Sequence, residues 1–376
     1  MIYNLFKKIY LSYFLNFKFI KKFIIKSYNK LNFENDLKSE QINLINKRFE
    51  DNNFITAINE DIVKKKISEK KFNNLYILSD LNQEINTKQL NDLNITKINS
   101  TENLSEEEIN NSLFFLLFSS DQIALSHINK IIKNKGYFKS LEFENYRSTV
   151  DHSNATSYRF TNPKCMEAIK KSFLQKKNMS GNYLSTLNTH ENICEAIELT
   201  KNLPGDYLEI GVFEGGSALT ALNYLKQINL SKKVFLLDTF EGFNYKESEK
   251  SYDIKWYKSH FIDTEGKTKK LLVNTFKEFN NYKLFTNNIC KDELPDEVSK
   301  VCLAHIDVDM YEATFAALEK VSMKIVNNGI IMCEDPPNTP LLYGALYAMD
   351  EFLKTHEGKK FIKIFKKNHY FLIKKN

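Results

Sequence analysis

The chain has 376 residues, of which 42% are hydrophobic and 27% charged. This composition is typical of a folded globular protein and excludes collagen-like and wholly disordered chains. The net charge of +6 is too small to indicate nucleic-acid binding, so we expect no nucleic-acid partner. At about 100–200 residues per domain, the length suits two domains.

Residues 1–50 are the most basic part of the chain and are predicted to be helical. Residues 1–33 contain no acidic residue, and aromatic and aliphatic residues separate their lysines. Such a helix can lie on an anionic membrane surface, or pack on the protein with its lysines in solvent. The chain has no apolar run of transmembrane length and no small-residue cleavage site after the short apolar run. We therefore expect a cytoplasmic protein, with peripheral membrane contact through residues 1–33 as the open alternative.

The five cysteines are widely spaced and form no C-x-x-C pair. This spacing argues against a disulfide framework and against a structural zinc site. Cys302 and Cys333 lie in apolar runs that are predicted to be buried strands. We expect reduced thiols that fill the core.

Residues 51–160 are predicted to form a small α/β or mostly helical module without a chemical motif. Residues 73–81 and 93–100 have the pattern of short strands, and residues 104–120 and 119–138 that of helices. Ser105 followed by Glu108 is the pattern of a helix N-terminal capping box. The polar residues 150–165 mark a boundary.

Residues 161–376 alternate short apolar runs with helical segments, which is typical of a parallel sheet covered on both faces. Two final runs, 359–366 and 369–375, have no room for a helix between them and predict an antiparallel hairpin. The sequence thus predicts an α/β, Rossmann-like fold of the methyltransferase kind, with a mostly parallel seven-stranded sheet and a C-terminal hairpin.

The first predicted strand of this domain runs into a glycine-rich turn. Glu209 lies inside the strand, and Gly211, Gly215, Gly216 and Ser217 follow as the chain enters a helix. The spacing differs from the G-x-G-x-x-G pattern of dinucleotide sites. E-x-G-x-x-x-G-G is instead typical of S-adenosylmethionine (SAM) methyltransferases. A purely structural turn is the alternative.

The second strand ends at Asp238, where doubly wound sheets place the acid that binds a ribose diol. A lone acid in this position can also cap a helix or a turn. Because of its position relative to Gly211, we predict the ribose role.

Four acids follow two further strands. Asp307 and Asp309 end one predicted strand, where residues two apart face the same side, and Glu334 and Asp335 end the next. Carboxylates gathered at one edge of the sheet would repel each other, and a divalent cation would compensate their charge. Oxygen ligands favour Mg²⁺ or a similar hard ion. Helix caps and salt bridges to lysines are the alternative.

Taken together, these segments resemble the macrocin (mycinamicin) O-methyltransferase family. The resemblance covers about residues 175–376 and is carried by GDYLEIGVFEGGSA, LLDTFEGF, NNICKDELP, AHIDVDMYEAT and NNGIIMCEDP. It implies a class I methyltransferase fold, SAM as methyl donor, and Mg²⁺ that binds two neighbouring oxygens of a sugar, glycan or other small-molecule acceptor.

The resemblance also implies the residue roles. The residues around SAM would be Glu209, Gly211, Gly215, Gly216, Ser217, Asp238 at the ribose and Asn288 near the adenine. The metal ligands would be Asp307, Glu334 and Asp335, with Asp309 as the substitute for Asp307. Asp307 and His260 would be the catalytic residues, with His260 as the general base. A surface-exposed loop histidine is the alternative for His260.

The chain departs from the family at two of these positions. The family usually has Asp-Asp where this chain has Glu334 and Asp335, and often has Gly in place of Asn288. Residues 336–353 also differ from the antibiotic enzymes, so the macrolide substrate is not carried over. Two other functions stay open: a metal-independent methyltransferase, and a non-catalytic binding protein of the same fold. A homo-oligomer is compatible with the sequence.

Overall fold

The structure is a computed structural model of the chain. It describes residues 54–55, 72–80, 95–118, 121–140, 142–143, 162–176, 187–249, 251–253, 266–337 and 342–376. The basic segment 1–50, including the predicted membrane-contacting residues 1–33, and His260 lie outside the described residues. The boundaries at 51 and 161 lie there too, so the division into 1–50, 51–160 and 161–376 stays a prediction.

The described elements alternate between strands and helices along most of the chain. The strands are β1 (Phe54–Ile55), β2 (Asn74–Ser79), β3 (Ile95–Ile98), β4 (Ser112–Leu117), β5 (Tyr137–Ser140), β6 (Glu142–Phe143), β7 (Asp206–Ile210), β8 (Val234–Asp238), β9 (Tyr282–Thr286), β10 (Val301–Ile306), β11 (Ile325–Cys333), β12 (Phe361–Lys366) and β13 (His369–Lys374). The helices are α1 (Glu106–Asn110), α2 (Asp121–Lys133), α3 (Pro163–Lys176), α4 (Leu187–Thr200), α5 (Gly216–Gln227), α6 (Lys246–Glu249), α7 (Lys267–Thr275), α8 (Tyr311–Ser322) and α9 (Tyr343–Lys354), with a 3₁₀ turn at Gly358–Lys360.

The N-terminal module is built on a four-stranded parallel sheet in the order β3-β2-β4-β5. A separate short ribbon pairs β1 with β6. The helix predicted over 104–120 is wrong, because α1 ends at Asn110 and β4 begins at Ser112. All six residues of β4 are buried, as expected for a central parallel strand covered on both faces. The capping box is confirmed, since Ser105 and Glu108 exchange both hydrogen bonds.

The second sheet has seven strands in the order β12-β13-β11-β10-β7-β8-β9. Strands β11, β10, β7, β8 and β9 are parallel, and β13 pairs antiparallel with both β11 and β12. The predicted mostly parallel sheet with a C-terminal antiparallel hairpin is therefore confirmed. The chain order reverses between β7 and β10, where α/β sheets of this kind place their ligands.

Hydrophobic cores cover both faces of the seven-stranded sheet. One core packs the sheet against α3, α4 and α5, and the other packs it against α8 and α9. The second core also contains Phe114 and Phe138 of the N-terminal sheet. Cys302 and Cys333 are buried in these cores, as predicted.

Specific contacts join the two sheets, which belong to one compact unit. The hydroxyl of Tyr347 on α9 donates to Asn129 Oδ1 on α2 at 2.9 Å. The backbone N–H of Phe138 on β5 donates to the carbonyl of Tyr252 at 3.1 Å, and a parallel bridge pairs Phe138 with Asp253. The edge of the N-terminal sheet thus holds residues of the connection between β8 and α7. Among the described residues, no helix is both long and apolar enough to cross a lipid bilayer.

Candidate functional site

The glycine-rich turn connects β7 to α5. Gly211 has φ = +86°, and a Cβ there would lie 1.7 Å from the carbonyl oxygen of Asp307. Gly215 is the N-cap of α5 with φ = +71°, and no side chain caps that helix. A side chain at either position would overlap a neighbour and strain the backbone, which explains why both residues are glycine. The first-turn N–H groups from Gly216 onward have no partner within the helix.

Glu209 lies beneath this turn, between the sheet and α5. Its side chain is 0% exposed, so it does not line an open surface. It accepts hydrogen bonds from the Tyr207 hydroxyl at 2.6 Å and from the Ser217 hydroxyl at 2.7 Å. Glu209 and Ser217 thus join β7 to the first turn of α5, and their contact with a cofactor stays a prediction.

Asp238 at the end of β8 reaches across to the glycine-rich turn. Its Oδ2 accepts the backbone N–H groups of Val212 at 2.7 Å and Phe213 at 2.9 Å, and its Oδ1 accepts that of Phe240 at 2.7 Å. Asp238 therefore fixes the shape of the turn. The ribose contact stays a prediction.

Asn287 and Asn288 follow β9 and differ in their hydrogen bonds. Asn288 donates from Nδ2 to Glu247 Oε2 at 2.8 Å, and its Oδ1 accepts the N–H of Cys290. Asn287 is 8% exposed, and its Oδ1 has no hydrogen-bond partner among the described residues. Sequence reasoning selected Asn288 and missed Asn287, the residue with an unsatisfied acceptor.

The predicted carboxylates lie together just beyond the ends of β10 and β11. Because β10 ends at Ile306, Asp307 and Asp309 are in a turn rather than in an extended strand, and Asp309 has φ = +61°. Asp335 Oδ2 accepts the backbone N–H groups of Val308 at 2.9 Å and Asp309 at 2.8 Å. These bonds tie the two strand ends together.

The pKa values of the carboxylates shift in opposite directions. Although burial would raise the pKa of Glu334, hydrogen bonds with His305 and His369 hold it well below its usual range. Burial, and after it the charges of Glu334 and Asp335, raise the pKa of Asp307 well above its usual range. Burial likewise raises the pKa of Asp335 to about 6, although two backbone N–H groups oppose that change. The negative charges of Glu334 and Asp335 thus oppose the ionisation of Asp307.

A buried histidine that sequence reasoning missed joins the cluster. One ligand atom from each of His305, Asp307 and Glu334 lies within 4.8 Å of the other two. His305 is fully buried, and its Nε2 lies 2.9 Å from Glu334 Oε2. Burial alone would lower the pKa of His305, but its contacts with Glu209 and Glu334 raise it to about 10. Residues two apart in a strand face the same side, so the position of His305 two residues before Asp307 could have indicated that it joins the cluster.

Comparisons with known proteins give a family and several relatives of this chain. The sequence profile of the macrocin O-methyltransferase family matches residues 143–369. A curated relative from Streptomyces olivaceus, 8-demethyl-8-(2,3-dimethoxy-alpha-L-rhamnosyl)-tetracenomycin-C 4'-O-methyltransferase, is 27% identical over 157 residues, which are 38% of this chain and 57% of the relative. Demethyldecarbamoylnovobiocin O-methyltransferase from Streptomyces niveus is 25% identical, over 39% of this chain and 58% of its own length. The chain thus matches less than three fifths of the length of these relatives.

Solved structures of O-methyltransferases are similar at a lower level. The O-methyltransferase NovP has a TM-score of 0.44 and 20% identity, covering 52% of this chain and 82% of NovP. The calicheamicin methyltransferase CalS11 has a TM-score of 0.41 and 16% identity, covering 56% of this chain and 93% of CalS11. The strand order and the profile match carry the assignment: the chain belongs to the macrocin O-methyltransferase family.

Proposed function

We propose that this chain is a Mg²⁺-dependent SAM O-methyltransferase that methylates a hydroxyl of a sugar, a glycoconjugate or a related natural product. One observation carries the proposal. The carboxylates after β10 and β11 lie beside the glycine-rich turn after β7, and the turn's Gly211 lies directly against Asp307. A methyl donor and a metal-bound acceptor would therefore occupy adjacent positions.

The turn fits SAM at three places. The first turn of α5 has no side-chain cap, and its N–H groups suit the carboxylate of a bound amino acid. Asp238 lies where a ribose diol would bind, and its three backbone contacts pre-organise the turn. Asn288, with the unsatisfied Asn287 Oδ1 next to it, would lie near the adenine.

The carboxylate set fits a hard divalent cation. Asp307, Glu334 and Asp335 would hold Mg²⁺, with Asp309 as the substitute for Asp307. Burial, and after it the charges of the neighbouring carboxylates, raise the pKa of Asp307, and a cation would relieve that repulsion. When bound, Mg²⁺ supplies the charge that lowers the pKa of the acceptor hydroxyl and orients it. Asp307 and His260 would be the catalytic residues, with His260 as the base that takes the hydroxyl proton.

The acceptor class rests on the relatives. The Streptomyces olivaceus relative is named for a rhamnosyl-bearing natural product, and the Streptomyces niveus relative for a novobiocin precursor. We infer a small-molecule or glycan acceptor rather than a nucleic acid. A cytoplasmic location, membrane contact through residues 1–33 and a homo-oligomer complete the proposal, and co-sedimentation with anionic vesicles would test the membrane contact.

Methyl transfer from radiolabelled SAM to a panel of nucleotide-linked deoxysugars tests the function. We expect labelled product with Mg²⁺ and none with EDTA. Full activity in EDTA would favour the metal-independent methyltransferase, and the absence of SAM binding would favour the non-catalytic binding protein.

A further inference from the structure

Side chains from three elements of the fold, α4, β10 and β13, lie against the carboxylate of Glu334. The hydroxyl of Thr189 on α4 donates to Glu334 Oε1 at 2.9 Å. His305 Nε2 on β10 lies 2.9 Å from Glu334 Oε2, and His369 Nε2 on β13 lies 3.7 Å from the same oxygen. Since a carboxylate only accepts hydrogen bonds, His305 Nε2 carries the proton in the shorter contact. Residues far apart in sequence thus converge on one carboxylate.

These partners are themselves fixed. Thr189 and His305 are 0% exposed, and His369 is 1% exposed. His305 Nδ1 lies 3.6 Å from Glu209 Oε2. Because Glu209 also binds the Ser217 hydroxyl, a continuous row of buried polar groups runs from the first turn of α5 to Glu334.

The neighbouring acid is held by different means. Asp335 accepts two backbone N–H groups, which no side-chain substitution can remove. Glu334 instead depends on side chains, and it has one more rotatable bond than Asp. Without fixed partners, its carboxylate would lose conformational freedom when it binds a cation, and that loss weakens binding.

We propose that Thr189 and His305, with His369 behind them, are positioning residues that hold Glu334 in the orientation of a metal ligand. The inference rests on the proposed metal role of the carboxylate set. Groups that orient metal ligands typically change metal affinity by about 10–100-fold when they are removed. The longer Glu334 fits this arrangement because its extra methylene lets the carboxylate reach Thr189 and His305 while staying beside Asp307.

Calorimetric titration of Mg²⁺ into the full-length protein tests this role. Thr189→Val removes the hydroxyl at nearly constant volume, and we expect it to weaken Mg²⁺ binding about 10-fold. Thr189→Ser keeps the hydroxyl and should restore wild-type affinity. Glu334→Asp removes one methylene and so draws the carboxylate away from Thr189 and His305. It should therefore weaken Mg²⁺ binding as well, although Asp is the usual residue of the family at this position.

Thr200→Val is the matched control. Thr200 is a buried threonine of the same helix, and its hydroxyl donates to the backbone carbonyls of Ala196 and Ile197 in α4. It should leave Mg²⁺ affinity unchanged while costing similar thermal stability. The proposal is overturned if Thr189→Val binds Mg²⁺ as tightly as the wild type or more tightly, if Thr200→Val weakens binding equally, or if Glu334→Asp tightens it. If the wild-type protein binds no Mg²⁺, the metal role itself fails.

Discussion

At the scale of single residues, steric contacts within the protein explain Gly211 of the glycine-rich turn without a ligand. Gly211 lies so close to Asp307 that any side chain would overlap the Asp307 carbonyl. The same contact places the glycine-rich turn against the carboxylates after β10 and β11. A residue that the motif marks for cofactor binding thus has a second, structural role.

We predict that Gly211→Ala lowers the free energy of unfolding by more than about 3 kcal/mol, because it combines a backbone overlap with a positive φ. Gly266→Ala is the control, since Gly266 has φ = +65° but no atom of the described residues packs within 4 Å of its ideal Cβ. It should cost only about 1–2 kcal/mol. Urea denaturation measures both, and equal losses would contradict the steric explanation.

We also predict that Asp238→Asn weakens SAM binding at least about 10-fold. An amide offers one acceptor oxygen where the carboxylate offers two, so some of the three backbone N–H groups lose a charge-assisted bond of about 1.5–3 kcal/mol. Calorimetry with SAM measures the change. Asp206→Asn, which affects a single bond to the Lys233 N–H, should leave the affinity unchanged. Retained affinity in Asp238→Asn would show that the turn does not depend on this carboxylate.

At the scale of elements, the beginning of α9 depends on a contact outside its own sequence. No side chain caps this helix at Leu342. Asp253 packs over its first turn so closely that a Cβ on Gly344 would lie 1.4 Å from Asp253 Oδ2. Asp253 pairs with Phe138 of β5, so the segment around Asp253 links β5 to the position of α9.

This contact predicts a non-additive pair of substitutions. Gly344→Ala should lower the melting temperature strongly, because overpacking typically costs about 1–3 kcal/mol. In an Asp253→Ala background the overlap is absent, so the same Gly344→Ala change should cost much less. Thermal unfolding of the single and double variants measures the coupling, and simple additivity would exclude the proposed contact.

Element types were predictable from sequence where the apolar pattern was unambiguous. The strands β7, β8, β10 and β11 followed from their buried apolar runs, and the terminal hairpin from its short connection. Strand β4 was misread because a continuous apolar run fits a buried strand and a helix equally well. The predicted strand ends also indicated that the carboxylates of Asp307, Glu334 and Asp335 lie together. Thr189 and His369 escaped prediction because they meet Glu334 only through tertiary packing, whereas the strand period could have indicated His305.

At the scale of the whole molecule, the described parts of both sheets share one hydrophobic core. Phe114 and Phe138 of the N-terminal sheet belong to the same buried cluster as Leu346 and Tyr347 of α9. The N-terminal module lies outside the family match at 143–369 except near its end, yet it packs against elements inside it. The N-terminal module thus packs against the part of the chain that matches the family.

We predict that the two sheets unfold in a single transition, because a shared core couples their stabilities. Hydrogen exchange in increasing urea should show amides of β4 and β10 opening together. Tyr347→Phe, which removes the hydroxyl that contacts Asn129 and Glu351, should shift both sets of amides equally. Separate transitions for the two sheets would contradict this coupling.

Calorimetric titration of SAM into the 376-residue protein, with Mg²⁺ and with EDTA, tests the proposed methyltransferase function. We predict saturable binding at one site per chain, with an affinity that EDTA changes little, because the residues proposed to hold SAM, in the glycine-rich turn and at Asp238, differ from the carboxylates proposed to hold Mg²⁺. The absence of saturable SAM binding under both conditions would contradict the methyltransferase function.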